Sequence, residues 1–283
     1  MYGGKNFDIL VVFTFMEVKT TLNFEETLEF DKALGRDMTD IDERFKRYLH
    51  RGGFPSLYVS EQTEKQDDAE VVDIYNSILY KDLVERKGIR NTELLSRVTR
   101  FVLDNIGNPL SANSIAKYLK NERLALGQET IYKYLGWLEE AMVIDRVPRY
   151  DMRGKELLKT QEKYYLADVG LLYAINGRSG TYLSGVLENL VYHELISHGY
   201  KVTIGKNNER EIDFVAERDH NRMYIQVAAH ITDRETTERE FGAFRGIDDN
   251  YPKYVLTLDR DFLHDESGIV AKYLPEFVLQ YLD

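Results

Sequence analysis

Apolar residues recur every three to four positions through the first part of the chain and give way to shorter alternating or continuous apolar runs later on. The earliest run, Phe7 to Val18, is rich in β-branched and aromatic types and predicts a strand. Asn23 then caps a short helix with Glu25 and Glu26 in its first turn, and Asp40 to Leu49 repeats the design before stopping at Gly52-Gly53-Phe54-Pro55. Two more amphipathic helices follow, Val71 to Val84 and Glu93 to Ile106, and the first clear break is the turn Asn105-Ile106-Gly107-Asn108-Pro109. Ser111 to Leu119 and Gln128 to Met142 have helix-turn-helix spacing. Strand-like Val143 to Tyr150 and Lys163 to Leu166, joined by the polar loop Asp151 to Glu162, complete the pattern of a winged helix.

From Gly185 onward the pattern is mixed α/β: a helix Val186 to His198, strands at Tyr200–Ile204, Glu211–Glu217, Met223–Ala228 and Tyr254–Leu258, and a helix Glu235 to Phe244 before the last strand. The expected fold class is therefore α+β and multidomain. Its blocks are a mostly helical segment 1–105, a winged helix 106–180, and a small α/β domain 181–283 with a mixed central sheet. No internal repeat or low-complexity tract interrupts it.

Composition narrows the chemistry. Zero cysteines among 283 residues exclude disulfides, thiolate metal sites and a cysteine nucleophile, and fit a reducing cytoplasm, the expected location. The run Ile9 to Met16 is about half of the ~20 residues a bilayer helix needs, so no membrane association is expected. A formal net charge of -11 argues against a uniformly DNA-coating surface. Ser111 to Thr160 departs from that average, with nine Lys/Arg against seven Asp/Glu. Within it Tyr132, Lys133, Arg149, Arg153, Lys155 and Lys159 are the candidates for nucleic-acid contact, through the second helix and the loop of the winged helix. A protein-docking role for the same module stands beside DNA binding. The 20 tyrosines, Tyr118, Tyr134, Tyr165 and Tyr254 among them, fall at core-like positions and are read as packing.

Two motif searches matter most. Binding of ATP by a phosphate loop needs Gly-x-x-x-x-Gly-Lys-Ser/Thr, and Gly3-Gly4-Lys5-Asn6 echoes it without the first glycine or the hydroxyl, so no ATPase activity is expected of this chain. Glu188 on a helix, Asp213 on a strand and Gln226 on the next strand form a degenerate version of the carboxylate set with which metal-dependent nucleases hold Mg²⁺. Gln226 stands where a second acid belongs and Ala228 where a lysine belongs, on the same strand face. Glu188 and Asp213 are the expected metal ligands, Mg the expected ion if the site is competent, and His230 a candidate stand-in for the lysine.

Several segments carry a resemblance. Arg51-Gly52-Gly53-Phe54-Pro55, Leu79-Tyr80-Lys81-Asp82, Tyr134 to Glu139, Lys163 to Gly170, Leu187-Glu188-Asn189, Glu211 to Phe214, Tyr224 to Val227 and Asp249 to Tyr254 are similar to a prokaryotic AAA+ ATPase family with a C-terminal domain of unknown function. The resemblance covers most of residues 40 to 260. It implies a P-loop ATPase half, a helical lid, a winged helix and a domain similar to the PD-(D/E)XK restriction-endonuclease-like fold. Residues 1 to 18 then resemble the last ATPase strand and residues 20 to 100 the lid and linker helices, the ATPase half being absent, and ATP belongs only to a full-length relative. Three functions follow as alternatives: a DNA- or partner-binding protein with a degenerate, inactive nuclease fold; a Mg-dependent phosphodiesterase acting on DNA; or an assembly module without nucleic-acid binding.

Overall fold

A computed structural model of the chain describes residues 21–36, 39–59, 62–178 and 180–282. The strand expected at residues 7 to 18 lies outside them. Rather than three consecutive blocks, the chain divides into two compact units made of interleaved segments. One comprises Met1–Asp104, Lys133–Ile144 and Leu166–Ser179, the other Asn105–Tyr132, Asp145–Tyr165 and Gly180–Asp283.

The described part of the first unit is helical: α1 (Phe24–Ala33), α2 (Ile41–Arg51), α3 (Pro55–Val59), α4 (Glu64–Ser77), which continues as a π-helical stretch Ile78–Glu85, then α5 (Thr92–Asp104). Capping explains where the first two begin. Asn23 accepts from Glu26 N while Glu26 reaches back to Asn23 N, and Asp40 accepts from Glu43 N. Helix α2 stops because Gly52 takes φ 79, a left-handed conformation open to glycine at little cost. Its apolar face, Phe45, Tyr48 and Leu49, is buried, with Phe45 edge-on to Phe24.

The second unit is organised on an eight-stranded mixed sheet. Helix α6 (Ala112–Asn121) precedes α7 (Gln128–Glu140), whose last residues belong to the first unit. Then come β1 (Ile144–Asp151), β2 (Glu156–Leu166), α8 (Gly170–Asn176, in the first unit), α9 (Leu183–Ser197), β3 (Lys201–Asn207), β4 (Arg210–Arg218) and β5 (Asn221–Ala228). The chain continues through α10 (Arg234–Gly242), β6 (Lys253–Thr257), β7 (Asp265–Glu266), β8 (Ile269–Tyr273) and α11 (Leu274–Gln280). The strand order is β2-β1-β3-β4-β5-β6-β8-β7.

That order redraws the expected boundary at residues 180/181. The ribbon expected to complete the winged helix belongs to the same sheet as the later strands: β1 pairs in parallel with β3 through Arg149↔Ile204 and Tyr150↔Gly205. Ile144 and Val147 of β1 are both buried, which the burial of apolar side chains favours. Antiparallel pairing of β3 with β4 and β4 with β5, and parallel pairing of β5 with β6 and β6 with β8, make the sheet mixed. Helix α9 is buried almost all round, from Gly185 to Leu195, as expected of a core helix. Its start is fixed by a close approach: a Cβ on Gly185 would stand 2.5 Å from the Ile106 carbonyl oxygen, so the Asn105–Pro109 turn packs against the first turn of α9.

Candidate functional site

Strands β4 and β5 stop pairing in regular register at Phe214↔Ile225. One residue beyond, side chains take over from the ladder: Asp213 N donates to Gln226 Oε1 at 3.2 Å, and Val227 N donates to Asp213 Oδ2 at 2.8 Å. The buried backbone donors are thereby satisfied where the strands part. Both polar side chains are held in the parted region, and α9 brings a third.

Lys163 of β2 joins them. Its ammonium lies 2.9 Å from Glu188 Oε2, 3.3 Å from Asp213 Oδ1 and 2.8 Å from Glu211 Oε1, and the residue is 2% exposed. Tyr165, two residues on and hence on the same strand face, donates from its hydroxyl to Glu188 Oε2 at 3.0 Å. Glu188 and Asp213 thus converge on one ammonium, that of Lys163. Arg149 Nε is 4.0 Å from Glu211, and Arg149 Nη1 donates to Gln161 Oε1 at 2.7 Å.

Electrostatics follow from burial. Desolvation opposes the charge on Lys163, but the combined pull of Tyr165, Glu188, Asp213 and Glu211 outweighs it and keeps the ammonium protonated well above its usual range. Burial, reinforced by the charge of Asp213, pushes Glu188 up to about 8 against the pull of Lys163. Burial likewise raises Asp213, which Lys163 and the Val227 N–H hold back. One ammonium faces three carboxylates, so the cluster carries surplus negative charge that a proton or a second cation would relieve.

A further acid belongs here. Glu240 of α10 is 3% exposed and close enough to Asp213 to feel its charge. Arg239 caps Glu240 Oε1 from the surface at 2.7 Å, while the buried Oε2 has no hydrogen-bond partner. Burial raises this carboxyl as well. Among the described residues Glu188, Asp213 and Glu240 do not form a group of three ligand atoms within 4.8 Å of one another, so a divalent ion here would rest on no more than two carboxylates and keep waters, as Mg²⁺ does.

The remaining candidates are dispersed. Ala228 is in the apolar cluster with Ile212, Tyr224, Phe241 and Val255, away from any polar duty. His230 does not replace a lysine: β5 ends at Ala228, and His230 turns outward, 56% exposed, to pair with Asp259 at 2.8 Å. Of the nucleic-acid candidates, Tyr132 is 45% exposed, and Lys133, Arg153 and Lys155 are exposed. Arg149 is committed to Gln161 and Glu211, and the side chain of Lys159 lies outside those described.

The sequence pattern reads Tyr165 as packing and assigns Lys163 no role. A signal is nonetheless present: a lysine flanked by Tyr164, Tyr165 and Leu166 in a strand can be buried only against carboxylates. Glu240 gives none, since it lies in the charged run Glu238-Arg239-Glu240 and reads as helix surface.

Residues 42–182 match the family model described as a domain of unknown function, DUF8612. That segment contains Lys163 but not Glu188, Asp213 or Gln226. The chain is 33% identical over 267 residues to an uncharacterized protein of Haemophilus influenzae, covering 94% of this chain and 65% of that one. It is 27% identical over 235 residues to the uncharacterized protein MJ1544 of Methanocaldococcus jannaschii, covering 79% and 51%. The chain therefore spans 65% and 51% of the length of these curated relatives. The crystal structure of protein VC1899 from Vibrio cholerae aligns over 88% of this chain and 70% of its own at 12% identity, with a TM-score of 0.22.

Proposed function

We propose that the second unit is nuclease-like and carries a divalent-metal-dependent phosphodiesterase site acting on DNA, within what in longer relatives is an ATP-linked protein of AAA+ type. One observation carries the reading: the ammonium of Lys163 reaches Glu188 and Asp213 from a different strand, supplying the cationic group that β5 lacks at Ala228. The curated relatives extend well beyond the matched span, which leaves room in them for an ATPase half.

A divalent cation bound here would polarise a phosphodiester oxygen and lower the pKa of a bound water. Asp213 and Glu188 would supply the carboxyl oxygens that hold it. Tyr165 orients Glu188 through its hydroxyl. Lys163 keeps a fixed positive charge at Asp213 Oδ1, where charge growing on phosphate would be stabilised as water oxygen attacks phosphorus and the P–O bond to the departing alcohol breaks. Plasmid cleavage dependent on Mg²⁺ or Mn²⁺, abolished by EDTA and by Asp213→Ala, is the expected outcome. A wild-type chain that leaves the plasmid intact with either metal overturns it.

A second reading has its own support. Because Lys163 is already enclosed by three carboxylates at 2% exposure, the cluster can serve as a metal-free ion-pair hub in a noncatalytic DNA- or partner-binding protein. Absence of both cleavage and metal binding would favour it.

A further inference from the structure

We infer that Arg149 and Lys163 form a subsite for one phosphate of a DNA backbone, which the carboxylate of Glu211 fills in the unliganded chain. The inference rests on the phosphodiesterase reading and deepens it, naming the groups that grip the substrate and the acid that gives way to it.

Two cations from neighbouring strands flank this carboxylate. Lys163 Nζ of β2 lies 2.8 Å from Glu211 Oε1, and Arg149 Nε of β1 lies 4.0 Å from Glu211 Oε2. An ammonium and a guanidinium set on the two oxygens of one carboxylate make a site for an oxyanion, since carboxylate and phosphate are recognised by the same donors. The fit to the carboxylate is incomplete. Arg149 Nη1 donates to Gln161 Oε1 at 2.7 Å, but Nε is buried with no hydrogen-bond partner, and 4.0 Å is beyond hydrogen-bonding range. A donor left short in this way costs free energy that a phosphate oxygen meeting Nε would recover.

Of the three acids around Lys163, Glu211 is the best placed to leave. Its side chain is 27% exposed, against 10% for Glu188 and 8% for Asp213, so returning it to water costs least. It is the second residue of β4, close to the exposed turn residues Asn208 and Glu209, and its backbone is paired with Lys206. A change of side-chain rotamer therefore releases the carboxylate and leaves the strand in place. Its departure reduces the negative charge around Lys163 at the point where a phosphate brings its own. Gln161, which holds Arg149, is itself exposed, so the subsite borders solvent.

Binding of a short fluorescein-labelled DNA duplex to the full chain in EDTA, read by anisotropy, tests this without reference to turnover. Glu211→Gln is expected to tighten binding about 10-fold, the scale of one charge-assisted hydrogen bond. Glu217→Gln removes the same charge from the other end of β4, where that side chain pairs with Arg222, and is expected to change binding by less than about 2-fold, the charge there being screened. Adding Arg149→Met to Glu211→Gln is expected to cancel the gain. Circular dichroism verifies folding of each variant, and the comparison of Glu211→Gln with Glu217→Gln decides the matter without Arg149→Met. Equal affinity of Glu211→Gln and wild type, or an equal gain in Glu217→Gln, overturns this inference, and plasmid cleavage by the same wild type then leaves the phosphodiesterase reading in place. The expected gain in a chain that cuts no plasmid with Mg²⁺ or Mn²⁺ supports the subsite and overturns the phosphodiesterase reading alone.

Discussion

Asp168 shows how a single side chain organises a distant stretch of chain. It accepts from Thr21 Oγ1 at 2.6 Å, Gly53 N at 2.8 Å and Gly170 N at 2.7 Å, joining segments as much as 147 residues apart. Gly52 must be glycine for two reasons: its φ is 79, and a Cβ there would stand 1.8 Å from Asp168 Oδ1. The breaker Gly52-Gly53-Phe54-Pro55 was legible as a stop signal, but its partner was not, since nothing local to Arg51–Pro55 marks a residue 115 positions away. Burial, against these hydrogen bonds, pushes Asp168 up to about 6. A folded-state pKa above the unfolded value means that the native state holds the proton more tightly between about pH 4 and 6. The contribution of this group to stability therefore rises as pH falls through that window and is lost as pH rises past 6, by up to roughly 3 kcal/mol. Urea unfolding across pH 4 to 7 should show that increment in wild type relative to Asp168→Asn. Superimposable pH profiles for the two would contradict the assignment.

At the scale of elements, periodicity located the longer helices and the four main strands of the second half, because capping residues and alternation are local properties, and it missed the short helices α3, α8 and α11. It failed for the partners of β1 and β2. A strand's neighbour depends on which edge is free after the rest of the sheet has formed, and the sequence Val143 to Tyr150 contains no mark of β3. The same failure hid the site: Lys163 reaches Glu188 and Asp213 from β2, while the sequence motif directed attention to β5. The turn between β1 and β2 exposes Arg153 and Lys155, while Arg149 is withdrawn to Gln161 and Glu211. If that turn grips the DNA backbone, replacing Arg153 and Lys155 with Ala should reduce the slope of log K against log salt by about 2, close to 0.9 for each phosphate no longer neutralised. A salt titration by fluorescence anisotropy reads it. An unchanged slope would leave the turn no part in holding phosphate.

For the molecule as a whole, an α+β chain with a mixed sheet was readable from the order of patterns, and interleaving of two units was not, because compactness depends on residues far apart in sequence. Among the described residues no helix is long and apolar enough to cross a membrane. A formal charge of -11 makes the surface as a whole unfavourable to nucleic acid, so any DNA binding has to be local and salt-sensitive. The site is local in the same sense: positive charge is brought to the acidic cluster by one lysine inside the sheet and not by the surface.

The most direct test of that claim is the initial rate of supercoiled-plasmid cleavage in Mn²⁺ by wild type and by Lys163→Met, with folding of the variant verified by circular dichroism. Cleavage by wild type and a fall on the order of 10²- to 10³-fold in the folded variant, the scale set by losing a charge-stabilising donor, is the predicted result. A folded Lys163→Met chain that cuts as fast as wild type, or a wild type that does not cut, would contradict it.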